Sequence, residues 1–417
     1  MVNRTESGLT PRVTGSENLR KYRRHHSNIK KLSSLKTTIV VGAGAWGGWT
    51  AYMLQKSGVQ VTLIDQLGAG NVKAGSGGKT RVIRMAYGGH QLYTRLTARS
   101  FELWSQYEQA WQTQFYHETG SLWLFRGIEP TYAQLSQPLL RERGLQLSEL
   151  SLEEAKAQYP QVNFSDISSV FEEPKSGYLE ASRACGVVKS EFEKIGGHYR
   201  NARVQSLQGE GAIEAIQLDN GEHLSADAYV LACGPWTSEL VPHAKDLIHV
   251  SRQEVYFFEQ PPAHGAEDLP IWIEFREGEH MYYGIPGSEE TGFKMAYDER
   301  TWALHPDIDH REVTPEILNT MRPILANRFP ALDGASLKGH HTCVYESSPD
   351  GDFIMDKIPG FSNGIMLCGS SGHGFKMGPA IGELVAESLV SAKGLPVEFS
   401  LKRFDAALER KTQYQVS

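Results

Sequence analysis

Two short segments in the last quarter of the chain carry residue types capable of covalent and electrostatic chemistry. One is Cys343-Val344-Tyr345, a single thiol beside an aromatic ring. The other is Ser371-Gly372-His373-Gly374-Phe375-Lys376, a Gly/His/Lys loop that opens a helical pattern. A thiolate is a nucleophile whose reactivity is set by the cations around it. The start of a helix offers backbone N–H groups and a positive dipole end to an anion. Read alone, the cysteine is a core thiol and the loop an ordinary turn, because a free cysteine usually behaves as a small buried hydrophobe. Their chemistry depends on what the rest of the chain places beside them.

Near the start, the apolar, β-branched run Thr37 to Val41 reads as a buried strand. Gly42-Ala43-Gly44-Ala45-Trp46-Gly47 follows, then a helical stretch to about Lys56, with Gly58 suited to the residue just past a helix end. Val59 to Ile64 is a second strand, and Asp65 closes it 23 residues beyond Gly42. In such a strand–turn–helix unit the glycines permit a tight turn and let the backbone approach a pyrophosphate. The helix N-terminus stabilises that anion, and the acid accepts from ribose hydroxyls. A lone G-x-G-x-x-G is a weak signal, but with the strand before it and the acid after it the pattern is strong. Gly78-Lys79-Thr80 imitates the end of a Walker A loop. The earlier glycine that loop requires would fall at Lys73, and the segment follows the second strand rather than the first, so an NTPase is excluded.

The elements that must position these groups come in an interleaved order. Leu92 to about Trp111 is an amphipathic helix, and residues 119–175 alternate strand-like runs such as Ser121 to Phe125 with charged helical stretches. Asp227 to Ala232 is a buried strand ending at Cys233-Gly234-Pro235-Trp236. Residues 250–300 are aromatic and strand-rich (Val255 to Phe258, Met281 to Tyr283) and read as an antiparallel sheet walling an apolar pocket. Gly364 to Cys368 is again a strand, and Gly378 to about Ala392 a helix with Ile381, Leu384, Val385 and Leu389 on its apolar side. The nucleotide part therefore recurs at the start, middle and end. By analogy of fold, that layout points to FAD more than NAD. The predicted class is α/β: a Rossmann-type FAD-binding domain (37–118, 176–247 and 338–417) interleaved with an α+β substrate domain on a mainly antiparallel sheet (119–175 and 248–337).

Composition sets the outer limits. The chain has 417 residues, 40% of them hydrophobic and 22% charged, which suits a two-domain globular enzyme. No apolar run approaches the roughly 18 residues that span a bilayer, so no membrane partner is expected. The net charge of −7 is uneven: residues 1–36 hold nine Lys/Arg against two Asp/Glu, leaving −14 on the rest. That balance argues against nucleic acid as a partner. The basic run from Arg20 to His26 and Lys30-Lys31 lacks the apolar stretch of a secretory signal. It reads as a flexible extension, with a targeting or membrane-surface role as the alternative. Gln415-Val416-Ser417 is no peroxisomal signal. The four cysteines, Cys185, Cys233, Cys343 and Cys368, form no C-x-x-C pair and suit a reducing, cytoplasmic setting. No metal is expected, since His340, His341 and Cys343 lack a second ligand pair.

Taken together, these motifs resemble the monomeric sarcosine oxidase and N-methyltryptophan oxidase branch of the D-amino acid oxidase superfamily. The residues that carry the likeness are Gly42 to Gly47; Thr80-Arg81-Val82-Ile83-Arg84 followed by Ala86-Tyr87-Gly88; Tyr283 to Pro286; Phe293-Lys294; Cys343 to Tyr345; Ser348-Pro349-Asp350 with Asp352 to Asp356; and Ser371 to Lys376. It spans roughly residues 37–400.

The resemblance implies FAD held covalently through Cys343, with Gly42, Gly44, Trp46, Gly47, Asp65, Thr80, Arg81, Val204, Gly234, Trp236, Gly372, His373, Gly374 and Lys376 about it. It implies Lys294 as the oxygen-activating cation, Arg84 and Lys376 as the holders of a substrate carboxylate, and Tyr283 and Tyr345 as cavity walls. The activity implied is oxidation of a secondary amino acid or related amine: hydride to the flavin, imine hydrolysis, and O2 reduced to hydrogen peroxide, in a monomer or small homo-oligomer. A dehydrogenase with another acceptor, a tailoring oxidase for a larger substrate, and a flavin-binding protein without turnover are the alternatives. Two departures stand out. The family's His-His pair is replaced at Ser76-Gly77-Gly78-Lys79, and a histidine four residues after the lysine is Asp298 here. An anion at Asp298 would disfavour a second carboxylate and favour a cationic or hydroxylated group, which shifts the expectation away from sarcosine itself.

Overall fold

The protein is described by a computed structural model that covers residues 35–278, 281–300, 303–307 and 312–405. Residues 1–34 of the basic extension and Gln415-Val416-Ser417 lie outside the described residues.

The strand Thr37–Val41 sits between Gln60–Asp65 and Ala228–Leu231, parallel to both. His198–Asn201 and Gly364–Cys368 extend the parallel set, and Ile354–Lys357 closes one edge antiparallel. The central parallel strands are covered on both faces, which is why Thr37–Val41, Ala228–Leu231 and Gly364–Cys368 read as nearly continuous apolar runs, whereas the edge strand His198–Asn201 is polar. The helix Ala45–Lys56 is buried from Ala45 to Leu54. It lies against Gly378–Ser391 and Ala181–Lys194, so no polar face is left to give it an amphipathic pattern. Close approach of the first two helices is possible because Gly378 and Gly382 lack side chains: a Cβ on Gly382 would stand 2.6 Å from the backbone carbon of Trp49. Trp49 also packs on Trp104 (5.3 Å) and Trp111 (5.4 Å) of the helix Gln91–Trp111. Gly58, at φ +95°, ends the first helix, with Val59 N–H donating to Leu54 O at 3.2 Å.

An eight-stranded sheet forms the second layer, in the order Leu337–Ser347, His249–Phe258, Phe293–Asp298, Met281–Ile285, Ile271–Arg276, Ser121–Arg126, Ser169–Glu173, Ser148–Leu150. All neighbours are antiparallel except Ile271–Arg276 and Ser121–Arg126. The fold is thus α/β, a Rossmann-type layer interleaved with a mainly antiparallel one. The strand Leu337–Ser347, assigned by the sequence to the nucleotide layer, is paired along its length with His249–Phe258. Its hydrogen bonds belong to the second layer, and we propose that the boundary falls after Ser347 instead of before residue 338. A small sheet of Thr80–Ile83, Gly177–Glu180 and Tyr116–His117 brings Arg81 and Arg84 toward the loop that ends at Lys376.

Candidate active site

A cleft opens beside the first strand–helix turn and is lined by Gly42, Gly44, Trp46, Asp65, Val204, Gly234 and Trp236. The turn tolerates only glycine at its first position. Gly42 has φ +102°, and a Cβ there would lie 2.2 Å from the Ala232 carbonyl oxygen. A Cβ on Gly47 would lie 1.9 Å from the Gly42 oxygen, so this glycine serves the turn and does not line the cleft. Ala45 N–H, at the helix start, donates to Ser76 Oγ at 2.9 Å. Asp65 accepts from the N–H groups of Ala43 (2.7 Å), Leu67 (2.9 Å) and Gly68 (2.7 Å). Burial pushes its carboxyl up, and these donors oppose the shift. Among the described residues no cluster of His, Cys, Asp or Glu could hold a metal ion.

A second cavity, of about 50 Å3, is lined by Arg81, Arg84, Tyr283, Lys294, Asp298, Tyr345, Gly372, His373 and Lys376. Arg84 and Lys376 are both buried, and both lie over one ring: the Arg84 guanidinium is 4.3 Å and Lys376 Nζ 5.3 Å from the centroid of Tyr87. Lys376 Nζ donates to His373 O at 2.7 Å. Burial, then the charge of Arg84, holds its ammonium well below the usual lysine range, while Glu173 pulls the other way. His373 is held neutral by burial and then by Lys376, and is fixed by Tyr87 Oη at 3.2 Å and Gly351 O at 3.0 Å.

Across the same lining, Lys294 Nζ donates to the carbonyl (3.1 Å) and hydroxyl (3.3 Å) of Thr80 and sits 5.7 Å from the Tyr283 ring centroid. Burial and then Arg81 push its ammonium down to about 7, against the pull of Cys343. The Cys343 thiol is buried, which raises its pKa, yet Arg81, His341 and Lys294 outweigh burial and bring it down to about 6. Arg81 is locked by the carbonyls of Thr80 (2.8 Å), Gly75 (2.9 Å) and Gly77 (2.6 Å). Cys343 therefore has thiolate character close to neutrality.

One expectation is corrected. Asp298 is not an uncompensated anion, because Arg300 donates to both its oxygens at 3.1 Å. Arg300 lies two residues beyond Asp298, which ends its strand, and its side chain folds back onto the acid. Glu173 was also not anticipated. It accepts from the N–H of Met85 (2.6 Å) and Ala86 (3.4 Å), and burial pushes it up to about 7. The sequence around it, SVFEE, carries two adjacent acids and a serine and gives no signal that sets Glu173 apart. Gly374 acts by contact, through its carbonyl, which accepts from Trp46 Nε1 at 3.0 Å.

Residues 37–388 match the DAO family, described as FAD dependent oxidoreductase. The chain belongs to this family. It is 29% identical over 363 residues to monomeric sarcosine oxidase from Bacillus sp. (strain B-0618), covering 85% of this chain and 92% of that one. It is 27% identical over 379 residues to N-methyl-L-tryptophan oxidase from Yersinia pestis (strain Pestoides F), covering 88% and 98%. L-proline dehydrogenase from P.horikoshii has the same fold, with a TM-score of 0.77 at 23% identity over 90% of this chain and 99% of that one. The FAD of this family fits the residues present. The cleft is lined by the glycine turn, the helix start at Ala45 and the buried, unpartnered Glu346 Oε2, and the thiolate-forming Cys343 stands near Arg81 and Lys294.

Proposed function

We propose that this flavoenzyme oxidises an N-methyl or cyclic amino acid, with O2 as the electron acceptor and hydrogen peroxide as a product, and that Cys343 tethers the flavin. The observation that carries this reading is the pair of buried basic side chains, Arg84 and Lys376, over the Tyr87 ring in a cavity that Lys294 and Tyr345 also line. Bound FAD supplies the acceptor for a hydride from the carbon next to the amine nitrogen. The residues of the chain do the rest. Arg84 offers a planar fork and Lys376 a point charge to one carboxylate. Because burial and Arg84 disfavour the Lys376 ammonium, a carboxylate arriving there restores its proton and is held more tightly. Tyr283 and Tyr345 wall the amine, and no side chain is needed as a strong base if the amine reacts neutral. Lys294 supplies a fixed cation for charge developing on oxygen.

Among the described residues no helix is long and apolar enough to cross a membrane, and all four cysteines are free. We propose a reducing, cytoplasmic setting, a reading that the free cysteines support.

The test is anaerobic mixing with N-methyl and cyclic amino acids and with the same amines lacking the carboxylate. Flavin colour should bleach with the acids and scarcely with the decarboxylated amines, and air should restore it with one peroxide per imine. No bleaching by any amino acid would sink the proposal. Bleaching followed by slow recovery in air would favour a dehydrogenase with another acceptor.

A further inference from the structure

The strand Leu337–Ser347 divides the two cavities. Tyr345 lines the smaller cavity, and its neighbour Glu346, one residue on, lines the dinucleotide cleft together with Trp46, Ser370 and Phe375. Glu346 is only 5% exposed. Its Oε1 accepts from Ser370 N–H at 3.4 Å, whereas Oε2 is buried and has no hydrogen-bond partner within the protein. A buried polar atom without a partner is costly, so such atoms mark places where a ligand completes the set.

The other acids of the cleft are already satisfied. Asp65 accepts three backbone N–H groups, and Glu239 is paired with Arg203 at 2.7 Å. Glu346 is the cleft acid with an oxygen left to give. Burial pushes its carboxyl up to about 7, with Ser370 opposing. Cys233 and Cys368, both within reach of its charge, are themselves pushed up by burial and supply no cation. The neutral acid is therefore accessible at physiological pH, and it carries one O–H to donate. The phosphates of a dinucleotide belong at the helix start, Gly44 and Ala45. Glu346 lies instead on the strand of Cys343, so its donor would face the part of a bound cofactor between the phosphates and the ring.

We propose that Glu346 is a cofactor-binding residue whose buried Oε2 hydrogen-bonds a hydroxyl of the ribityl chain of FAD. The proposal rests on the reading that Cys343 lies at the flavin ring, but not on the identity of the substrate. It is tested in the full chain carrying Cys343→Ala, where any FAD is held without a thioether. FAD affinity is read by quenching of its fluorescence and ADP affinity by calorimetry, with the melting temperature of the cofactor-depleted chain as the folding check. Adding Glu346→Leu should weaken FAD by about tenfold or more, the worth of one buried hydrogen bond, and leave ADP unchanged. Glu346→Gln keeps a donor of the same length and should stay within about threefold of the parent. Equal weakening of FAD and ADP would assign the contact to the phosphates and overturn the ribityl assignment. Unchanged FAD affinity in a folded Glu346→Leu chain would overturn the proposal altogether.

Discussion

Asp298 and Arg300 are joined by two hydrogen bonds of 3.1 Å, Nε to Oδ1 and Nη2 to Oδ2, with side chains only 4% and 10% exposed. The Arg300 guanidinium also stands 5.5 Å from the centroid of the Tyr345 ring. An acid that alone would repel an anionic substrate is thereby neutralised in place. The pair should discriminate by shape and hydrogen bonding more than by net charge.

Replacing Arg300 by Met leaves the Asp298 charge facing the cavity. KM for amino acid substrates should rise at least tenfold. Asp298→Ala leaves a buried guanidinium without this partner and should cost about 3 kcal/mol of stability, read by denaturant unfolding. If Arg300→Met left KM unchanged, the pair would be scaffolding and not part of the substrate wall.

The two basic side chains over Tyr87 make a sharper claim. Arg84→Met or Lys376→Met removes one partner of a desolvated carboxylate, worth about 2 kcal/mol or more, so KM should rise about 30-fold or more. For an amine without a carboxylate the same variants should change KM little. Arg84 also donates to the carbonyl of Ala86, so Arg84→Lys, which keeps the charge, separates binding from folding. Equal losses for both substrate types would refute carboxylate anchoring.

Acid precipitation tests the tether. The wild-type pellet should stay yellow and the Cys343→Ala pellet should be colourless. Arg81 is the largest influence lowering the thiol pKa, so Arg81→Met should raise that pKa and slow tether formation at neutral pH, an effect that higher pH partly reverses. A colourless wild-type pellet would remove the covalent linkage from the mechanism.

What the sequence revealed follows a physical divide. The turn Gly42 to Gly47, the strand Gly364–Cys368 and the helix Gly378–Ser391 are set by local sterics and by burial on two faces, and a single chain displays both. The pairing of Leu337–Ser347 with His249–Phe258 joins segments about ninety residues apart. Neither segment displays its partner, which is why the sequence places the strand with the nucleotide layer while the pairing leads us to propose the second. Arg300 is not legible from the sequence because it lies beyond the end of its strand, where no periodicity places it beside Asp298. Glu346 carries no signal of its own, since the chemistry-bearing Cys343 and Tyr345 belong to the opposite face of its strand.

Lys294 links pH to both turnover and stability. Burial and then Arg81 bring its ammonium from the ordinary 10.5 to about 7. If the cation stabilises charge on oxygen, reoxidation in air should slow as pH rises through about 7, while anaerobic reduction by substrate keeps its own profile. Lys294→Met should slow reoxidation by about a hundredfold or more and flatten its pH dependence. The sign for folding is opposite to that of a paired lysine. Between about 7 and 10.5 the unfolded chain binds the proton that the folded chain has released, so this residue's contribution to stability rises with pH across that window. Below about 7 both states carry the charge, and the folded one must bury it. Lys294→Met should therefore raise the melting temperature most at pH values below about 7, and the gain should shrink toward pH 10. A melting difference independent of pH would mean that Lys294 keeps its ordinary pKa in the folded chain, and the charge argument for oxygen activation would then lose its pH dependence near neutrality.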